Sequence, residues 1–309
     1  MPAVRVLVIA NPRATAMSDR QRDVLTHALA GDAQLKIAET ANRGHAAALA
    51  CRAMRDGTDV VVALGGDGTV NEVVNGLLTD GVHPAVPALG VVPAGSTNVF
   101  TRALGLPTDA VEATGALLEA LRARSSRPVS LGQADDRWFI FAAGLGYDAG
   151  IVAAVERHRR RGTRSTHGLY ARVGVRRFFA EDRRHPRLHV QLADGTVFDD
   201  VFFTVVANAD PWTFAGKTAL RPTPDVTFDT GLGVYARRRM SAPGLLFSMA
   251  RLVGSRPRIG RRGAHYAHDV DAVTVWSDEP VPFQVDGEYL GERTKVAFRT
   301  QARAIQVVM

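Results

Sequence analysis

The sequence predicts an α/β amino-terminal domain over residues 1–125, with an open and mostly parallel sheet, followed by a β-sandwich domain over residues 126–309. Three observations predict this. Short apolar runs alternate with helical patterns through the first third of the chain, in a βαβα order. Near Ser125-Ser126-Arg127-Pro128 that texture gives way to many short strand-like runs with turn signals between them. The length, 309 residues, suits two domains.

Val4 to Ala10 reads as a buried strand ending at Asn11-Pro12, and Asp19 to Ala30 as a helix. Leu35 to Ala38 is a short strand, and Gly44 to Arg55 is Ala-rich and helical. Asp59 to Leu64 (DVVVAL) is a continuous β-branched run, as expected of a strand covered on both faces. Val70, Val73, Val74 and Leu77 recur at i, i+3, i+4 and i+7, which marks an amphipathic helix. Ala88 to Val92 is another buried strand, and Ser96 to Leu104 and Asp109 to Leu121 are helical. Beyond the boundary, strands are expected at Trp138 to Ala142, Leu188 to Leu192, Val201 to Ala207, Val226 to Phe228 and Leu232 to Ala236. Four more are expected at Val273 to Trp276, Val281 to Val285, Thr294 to Phe298 and Ala304 to Val308. Helical stretches around Gly150 to Phe179 and Pro243 to Val253 interrupt them. Asp194-Gly195 and Asp286-Gly287 are hairpin-turn dipeptides.

Composition excludes whole classes. With 46% hydrophobic and 22% charged residues, the chain is neither disordered nor of low complexity. One cysteine, Cys51, excludes an intramolecular disulfide and a multi-thiolate zinc site, and favours a cytoplasmic setting. In its Ala-rich helix Cys51 reads as a small core residue. No apolar run is long enough for a spanning helix, and the amino terminus carries no export pattern. The net charge is +7, and all but Lys36, Lys217 and Lys295 of the 38 basic residues are Arg. A GC-rich genome accounts for such an Arg bias; so does a polyanionic partner, whether nucleic acid, an anionic membrane or phosphates. Composition does not choose.

The sharpest local feature is Gly65-Gly66-Asp67-Gly68-Thr69-Val70-Asn71-Glu72, directly after the DVVVAL strand and before the amphipathic helix. Glycine is needed where backbone approaches a phosphate, and the helix N-terminus offers N–H groups and a positive dipole end. Asp67 puts a carboxylate where it can hold a nucleotide's Mg²⁺, directly or through water. A tight turn with a capping box, Thr69-x-x-Glu72, accounts for the same residues, and both can hold. The position, at the end of a central strand, is where open α/β sheets bind ligands. Other phosphate motifs fail: Gly216-Lys217-Thr218 lacks the leading Gly of a Walker loop, Gly144-x-Gly146 lacks a third Gly, and Ser96 is out of frame for a hydrolase elbow. His265, His268 and Asp269 have a loose metal-ligand look and read as a loop.

Gly65 to Leu77 (GGDGTVNEVVNGL) resembles the signature of the diacylglycerol kinase catalytic domain family, which includes bacterial lipid kinases and sphingosine kinases. Asn11-Pro12, Thr40 ahead of Gly44-His45-Ala46, Pro93 to Arg102, Gly144 to Ala149 and Val285-Asp286-Gly287-Glu288 are similar to further family segments, in family order. The resemblance implies a lipid kinase- and NAD kinase-like nucleotide domain followed by a β-rich lipid-substrate domain. It implies ATP and Mg²⁺ as cofactors, with Asn11, Thr40, Gly65, Gly66, Asp67, Gly68, Thr69, Val70, Asn71, Glu72, Gly95 and Ser96 around the nucleotide. Asp67 is then the metal-side carboxylate. Asp286 becomes the general base for a lipid hydroxyl, with Glu288 beside it; without the resemblance Asp286-Gly287 is a turn.

Three positions depart from the family pattern. Val99, Ser130 and Thr230 stand where many bacterial members carry Asp, and the lost carboxylates weaken the metal network that the resemblance implies. The expected reaction is phosphorylation of the hydroxyl of diacylglycerol or a similar lipid. The alternatives are a sphingoid base or NAD-like acceptor, or a weakly active nucleotide-binding regulator. The Arg groups 157–164, 176–187 and 256–262, with an apolar stripe over Leu245, Leu246, Phe247, Met249, Leu252 and Val253, suggest peripheral contact with the anionic inner face of the membrane. Such a stripe is more often a core face. Nucleic acid becomes the least favoured partner, and a homodimer is left open.

Overall fold

The structure, a computed structural model, describes residues 4–12, 34–161, 166–180, 182–216, 218–253 and 263–309. The helix expected over Asp19 to Ala30, Lys217, and Arg164, Arg256, Arg258, Arg261 and Arg262 lie outside these residues. The chain divides into two compact units, one of Met1–Ser130 with Arg303–Met309 and one of Leu131–Ala302.

The first unit runs β1 (Arg5–Ala10), β2 (Gln34–Glu39), α1 (His45–Arg55), β3 (Val60–Gly65), α2 (Asp67–Leu77), β4 (Ala88–Pro93), α3 (Val99–Ala103) and α4 (Ala110–Ala123). The strands are parallel in the order β4-β3-β1-β2. Every residue of β3 is buried, as the unbroken apolar run requires of a strand covered on both faces. Val6, Val8, Val62, Leu64 and Val92 pack with Leu117 and Ala120 of α4 into one core. Asp109 caps α4, its carboxylate accepting from the N–H groups of Val111 and Glu112. The helix expected over Ser96 to Leu104 is shorter because Asn98 is left-handed, at φ 48°, and residues 95–98 form a turn. Cys51 is a free thiol, only half-buried on α1 rather than in the core.

A strand around Ser130-Leu131-Gly132, β5 (Ser126–Ala134), leads into the second unit. That unit contains β6 (Arg137–Phe139), β7 (Ala142–Gly146), α5 (Tyr147–Arg160), α6 (His167–Ala180), β8 (Leu188–Leu192), β9 (Val197–Val201), β10 (Phe203–Ala207) and the small pair β11 (Thr213–Ala215) and β12 (Thr218–Leu220). It continues through β13 (Leu232–Arg237), α7 (Ala242–Arg251), β14 (Ala264–Val270), β15 (Ala272–Val285) and β16 (Glu288–Val308). The pairing is antiparallel, in the order β14-β13-β10-β7-β15-β16, and the first half of β15 also pairs with β8. Val190, Val206, Val234, Val275, Phe283 and Phe298 meet in one core. The strand-rich second region that the turn-punctuated sequence predicts is therefore present.

Some elements differ from expectation. The single helical stretch around Gly150 to Phe179 is two helices, α5 and α6. Val226 to Phe228 is not a strand but a loop leading into a turn, with Val226 and Phe228 buried and Thr227 exposed. The runs 273–276 and 281–285 are one strand, with its register shifted between Trp276 and Val281, where Pro280 lacks a ladder N–H, and again between Pro282 and Gln284. The runs 294–298 and 304–308 are likewise one strand, whose last residues belong to the first unit and pair Val307 with Leu89. His265, His268 and Asp269 lie on β14, not in a loop; His265 stacks on Phe198 at 4.3 Å, and Asp269 accepts from the Gly231 N–H. Among the described residues no group of three His, Cys, Asp or Glu side chains is placed to hold a metal.

Candidate functional site

In the first unit the strand ends are level. Ala10 pairs with Glu39 and with Leu64, and Gly65 with Pro93. Asn11, Thr40, Gly65-Gly66 and Ala94-Gly95 thus emerge together at the carboxyl edge of the parallel sheet. Backbone bonds seal the edge: Asn11 N–H donates to Leu64 O at 3.0 Å, Thr40 N–H to Ala10 O at 2.9 Å, and Ala94 N–H to Gly65 O at 2.8 Å. The two glycine turns touch. A Cβ on Gly95 would lie 2.7 Å from the Gly66 Cα and 2.8 Å from Asn98 Oδ1, so only glycine fits. Asn98 ties its own turn, accepting from Gly95 N–H at 3.0 Å and donating to Gly95 O at 2.9 Å. Gly68 is exposed, with open space where its Cβ would be, and Ser96 is exposed beside Gly95.

The helix N-termini at this edge are capped crosswise. Helix α1 starts after Gly44, which is left-handed at φ 82° and has no side chain to cap with. Its cap comes from α2: Glu72 accepts from Gly44 N–H at 2.9 Å and Ala46 N–H at 3.2 Å. Helix α3 is capped by Asp67, whose two oxygens accept from Val99 N–H at 2.9 Å and Phe100 N–H at 3.1 Å. Helix α2, which supplies both carboxylates, follows Gly66 and has no side-chain cap of its own. Its first turn therefore opens with N–H groups that have no intrahelical acceptor, at the positive end of the dipole. The Thr69-x-x-Glu72 capping box is not formed; Thr69 Oγ1 instead accepts from Asn11 Nδ2 at 3.3 Å.

The expected nucleotide residues thus separate by placement. Asn11, Thr40, Gly65 to Thr69, Gly95 and Ser96 gather at the edge. Val70 and Asn71 are 1% and 2% exposed and sit in the helix interior face, and Glu72 is spent on α1. Loss of the cross-cap has a measurable cost. Glu72→Ala strands two N–H groups and is expected to lower unfolding free energy by about 1–2 kcal/mol, with Glu72→Gln costing less. A urea midpoint unchanged in Glu72→Ala would show that water replaces the cap.

Desolvation pushes the Asp67 carboxyl pKa up, against the lowering pull of Val99 N–H, Phe100 N–H and the Arg102 guanidinium. Both oxygens are engaged, but a carboxylate has about four lone-pair positions. The donor set suits a Mg²⁺ ion that keeps its waters and its ligands on nucleotide phosphates, not one caged by protein. At the departures from the family pattern, Ser130 and Thr230 use their hydroxyls in local hydrogen bonds, and the buried Val99 contributes only its backbone N–H. Val99 N–H is the donor to Asp67, and Ser130 Oγ accepts from Arg303 N–H at 3.3 Å. Thr230 Oγ1 accepts from Thr227 N–H at 2.9 Å and donates to Thr227 O at 3.0 Å, closing the turn from within.

In the second unit Asp286 and Gly287 are the two central residues of the β15–β16 hairpin, at φ 48° and 76°, as a type I′ turn demands. Asp286 is only 8% exposed. Its Oδ2 accepts from Ile140 N–H at 2.8 Å, and its Oδ1 from Phe141 and Ala142 N–H at 3.0 Å each. The carboxylate is therefore held by three donors in a fixed orientation. Glu288 opens β16 and pairs with Arg137 at 3.4 Å. Sequence reasoning left out Asp148 and Gln284 as site residues. Gln284 Nε2 donates to Asp148 Oδ2 at 3.2 Å, and Gln284 Oε1 accepts from Gly287 N–H at 2.9 Å, which links Asp148 to the hairpin tip.

The family model of the diacylglycerol kinase catalytic domain matches residues 5–134. The diacylglycerol kinase of Staphylococcus aureus (strain JH9) is 30% identical over 262 residues, which cover 81% of this chain and 74% of that protein. A crystal structure of a diacylglycerol kinase from Bacillus anthracis str. Sterne superposes with a TM-score of 0.73 at 18% identity, covering 100% of this chain and 97% of that one. An NAD kinase from Archaeoglobus fulgidus in complex with ATP gives 0.50 at 9% identity, covering 98% and 93%. The two structural likenesses concern the fold; the identity to the staphylococcal enzyme and the match over the glycine-rich segment concern the family. This chain belongs to the diacylglycerol kinase family.

Proposed function

We propose that this lipid kinase transfers the γ-phosphoryl group of ATP, with Mg²⁺, to the hydroxyl of diacylglycerol or a close relative. The observation that carries the nucleotide half is the uncapped N-terminus of α2, framed by two glycine turns so tight that a Cβ on Gly95 would sit 2.7 Å from Gly66 Cα. The N–H groups of Gly66 to Gly68 at the start of α2, and of Ser96, would contact the triphosphate, with Gly65, Thr69 and Gly95 shaping the two turns and Asn11 and Thr40 nearby. The spare lone pairs of Asp67 would receive waters of the nucleotide's Mg²⁺. Bound there, the ion would neutralise charge on the phosphates.

Asp286 would accept the hydroxyl proton as the lipid oxygen bonds to the γ-phosphorus and the bond to the β–γ bridging oxygen breaks, leaving ADP. Loose phosphoryl transfer asks mainly for positioning, and a carboxylate fixed by three N–H groups supplies an oriented acceptor. We read Glu288, already paired with Arg137, as a brace beside it. In this scheme contact with an anionic membrane surface is peripheral.

The test is transfer of label from isotopically labelled ATP with Mg²⁺ in mixed micelles, offering diacylglycerol, sphingosine or NAD. Label is expected in the diacylglycerol phosphate monoester. Label in sphingosine or NAD instead would displace the acceptor assignment. Nucleotide binding with no transfer to any of them would favour a regulator.

A further inference from the structure

We propose that the outer face of α6 is a docking surface for an anionic lipid bilayer, an inference that rests on the lipid-kinase reading. The inner face of this helix is accounted for. Leu169 and Val173 pack with Val155 of α5, Phe178 is buried, and Tyr147 Oη donates to Gly174 O at 2.6 Å. The outer face is not. Val175 is 60% exposed and Phe179 68%, one turn apart at i and i+4, so the two side chains form one apolar ridge. Single exposed apolar residues are ordinary, but two bulky ones stacked on a helix and set among cations are not explained by folding.

The cations are specific. Arg172 and Arg176 are exposed and flank the ridge on the same helix. Arg183, just past its end, lies 4.8 Å from the centroid of the Phe178 ring and 5.8 Å from that of Phe179. Arg157 and Arg159 of α5 and Arg184 are exposed as well. Of the two acids on this stretch, Glu181 lies outside the described residues and Asp182 is bonded to His185 at 2.6 Å. A ridge of Val and Phe inside a field of guanidinium groups is complementary to a surface with anionic head groups outside and acyl chains beneath. Free phosphates would use the arginines and leave the ridge wet. The arginines hold a head-group layer while Val175 and Phe179 dip below it.

The sequence offered an apolar contact on 245–253, whose side chains lie mostly outside the described set; the α6 ridge is a separate candidate among the described residues. The experiment is co-sedimentation of the full chain with sucrose-loaded vesicles of phosphatidylcholine, with or without phosphatidylglycerol. Binding is expected on the anionic vesicles and to weaken with salt. Val175→Ser with Phe179→Ser is expected to lower apparent affinity at least ~10-fold, as about 1.4 kcal/mol of lost apolar burial implies. Arg172→Gln with Arg176→Gln is expected to lower it ~10-fold on anionic vesicles and not on neutral ones.

Activity on short-chain, water-dispersed diacylglycerol controls for folding and is expected to be unchanged in both pairs. Wild-type binding that ignores head-group charge, or Ser variants that bind as wild type does, would overturn the proposal. So would a ridge whose loss abolishes self-association in sedimentation velocity while vesicle binding persists. Vesicle binding that behaves as expected in a chain inactive on diacylglycerol would instead refute the acceptor assignment and leave the docking surface standing.

Discussion

Asp286→Asn is expected to lower kcat about 100- to 10,000-fold, the range typical of removing a positioned proton acceptor. The substitution also has a structural cost that must be separated from the chemical one. The asparagine Oδ1 can keep the bonds from Phe141 and Ala142, but its NH₂ then faces the Ile140 N–H, which now donates to Oδ2 at 2.8 Å. That donor–donor contact is expected to cost about 1–3 kcal/mol of stability. The turn itself survives, because Asn tolerates the left-handed conformation held by Asp286 at φ 48°. Turnover should therefore be measured per folded molecule, with urea unfolding on the same preparation. A loss of rate that vanishes once the folded fraction is counted would make Asp286 a hairpin brace only. A loss that persists in fully folded protein, with KM for ATP little changed, is the expected result and separates the acceptor's contribution from nucleotide binding.

The parts that were legible from sequence are those in which one segment carries its own reason. The short, β-branched DVVVAL run reads as a strand buried on both faces, and Gly65-Gly66-Asp67-Gly68 directly after it as a tight entry into a helix. The Asp286-Gly287 turn is legible for the same reason, since both residues accept positive φ. What was not legible depends on partners remote in sequence. Nothing near Glu72 says that its carboxylate closes α1, 28 residues earlier, and nothing near Asp67 says that it caps α3, 32 residues later. The capping-box pattern pointed at a local partner, and tertiary geometry supplied a better one. The long strands β15 and β16 were hidden for another reason. Pro280 and Pro282 in one, and the polar run Thr300 to Arg303 in the other, break the apolar signal while the backbone stays extended. The return of residues 303–309 to the first unit is set by pairing with β4, which no local pattern records. Asp148 is the clearest omission: its meaning lies in Gln284, 136 residues away.

Asp148 carries the second large effect, on stability against pH. The residue is 9% exposed in the first turn of α5, and burial pushes its carboxyl pKa up to about 7, against a lowering bond from Gln284. In the unfolded chain an Asp titrates near 3.9. Below about pH 4 the group is neutral in both states and contributes no penalty. Between about pH 4 and 7 the native state holds a proton that the unfolded state has lost, so stability falls as pH rises. Above pH 7 both states are ionised and the penalty is complete, with an upper limit on the order of 4 kcal/mol for a shift of this size. Asp148→Asn keeps an oxygen for Gln284 Nε2 and removes the titration. Its urea midpoint is expected to equal wild type at pH 4 and to exceed it increasingly up to pH 8. A constant difference across that range would sink the assignment. The same substitution reports on the hairpin, because Gln284 spends its other end on Gly287 N–H, next to Asp286. If the Asp148–Gln284 bond only stabilises the fold, the variant is more stable and equally active at pH 8. If the bond sets the hairpin tip, the pH–kcat profile loses a limb near neutrality while KM for ATP stays put. The outcome separates a buried acid tolerated by the fold from one that orients the proposed proton acceptor through a single amide.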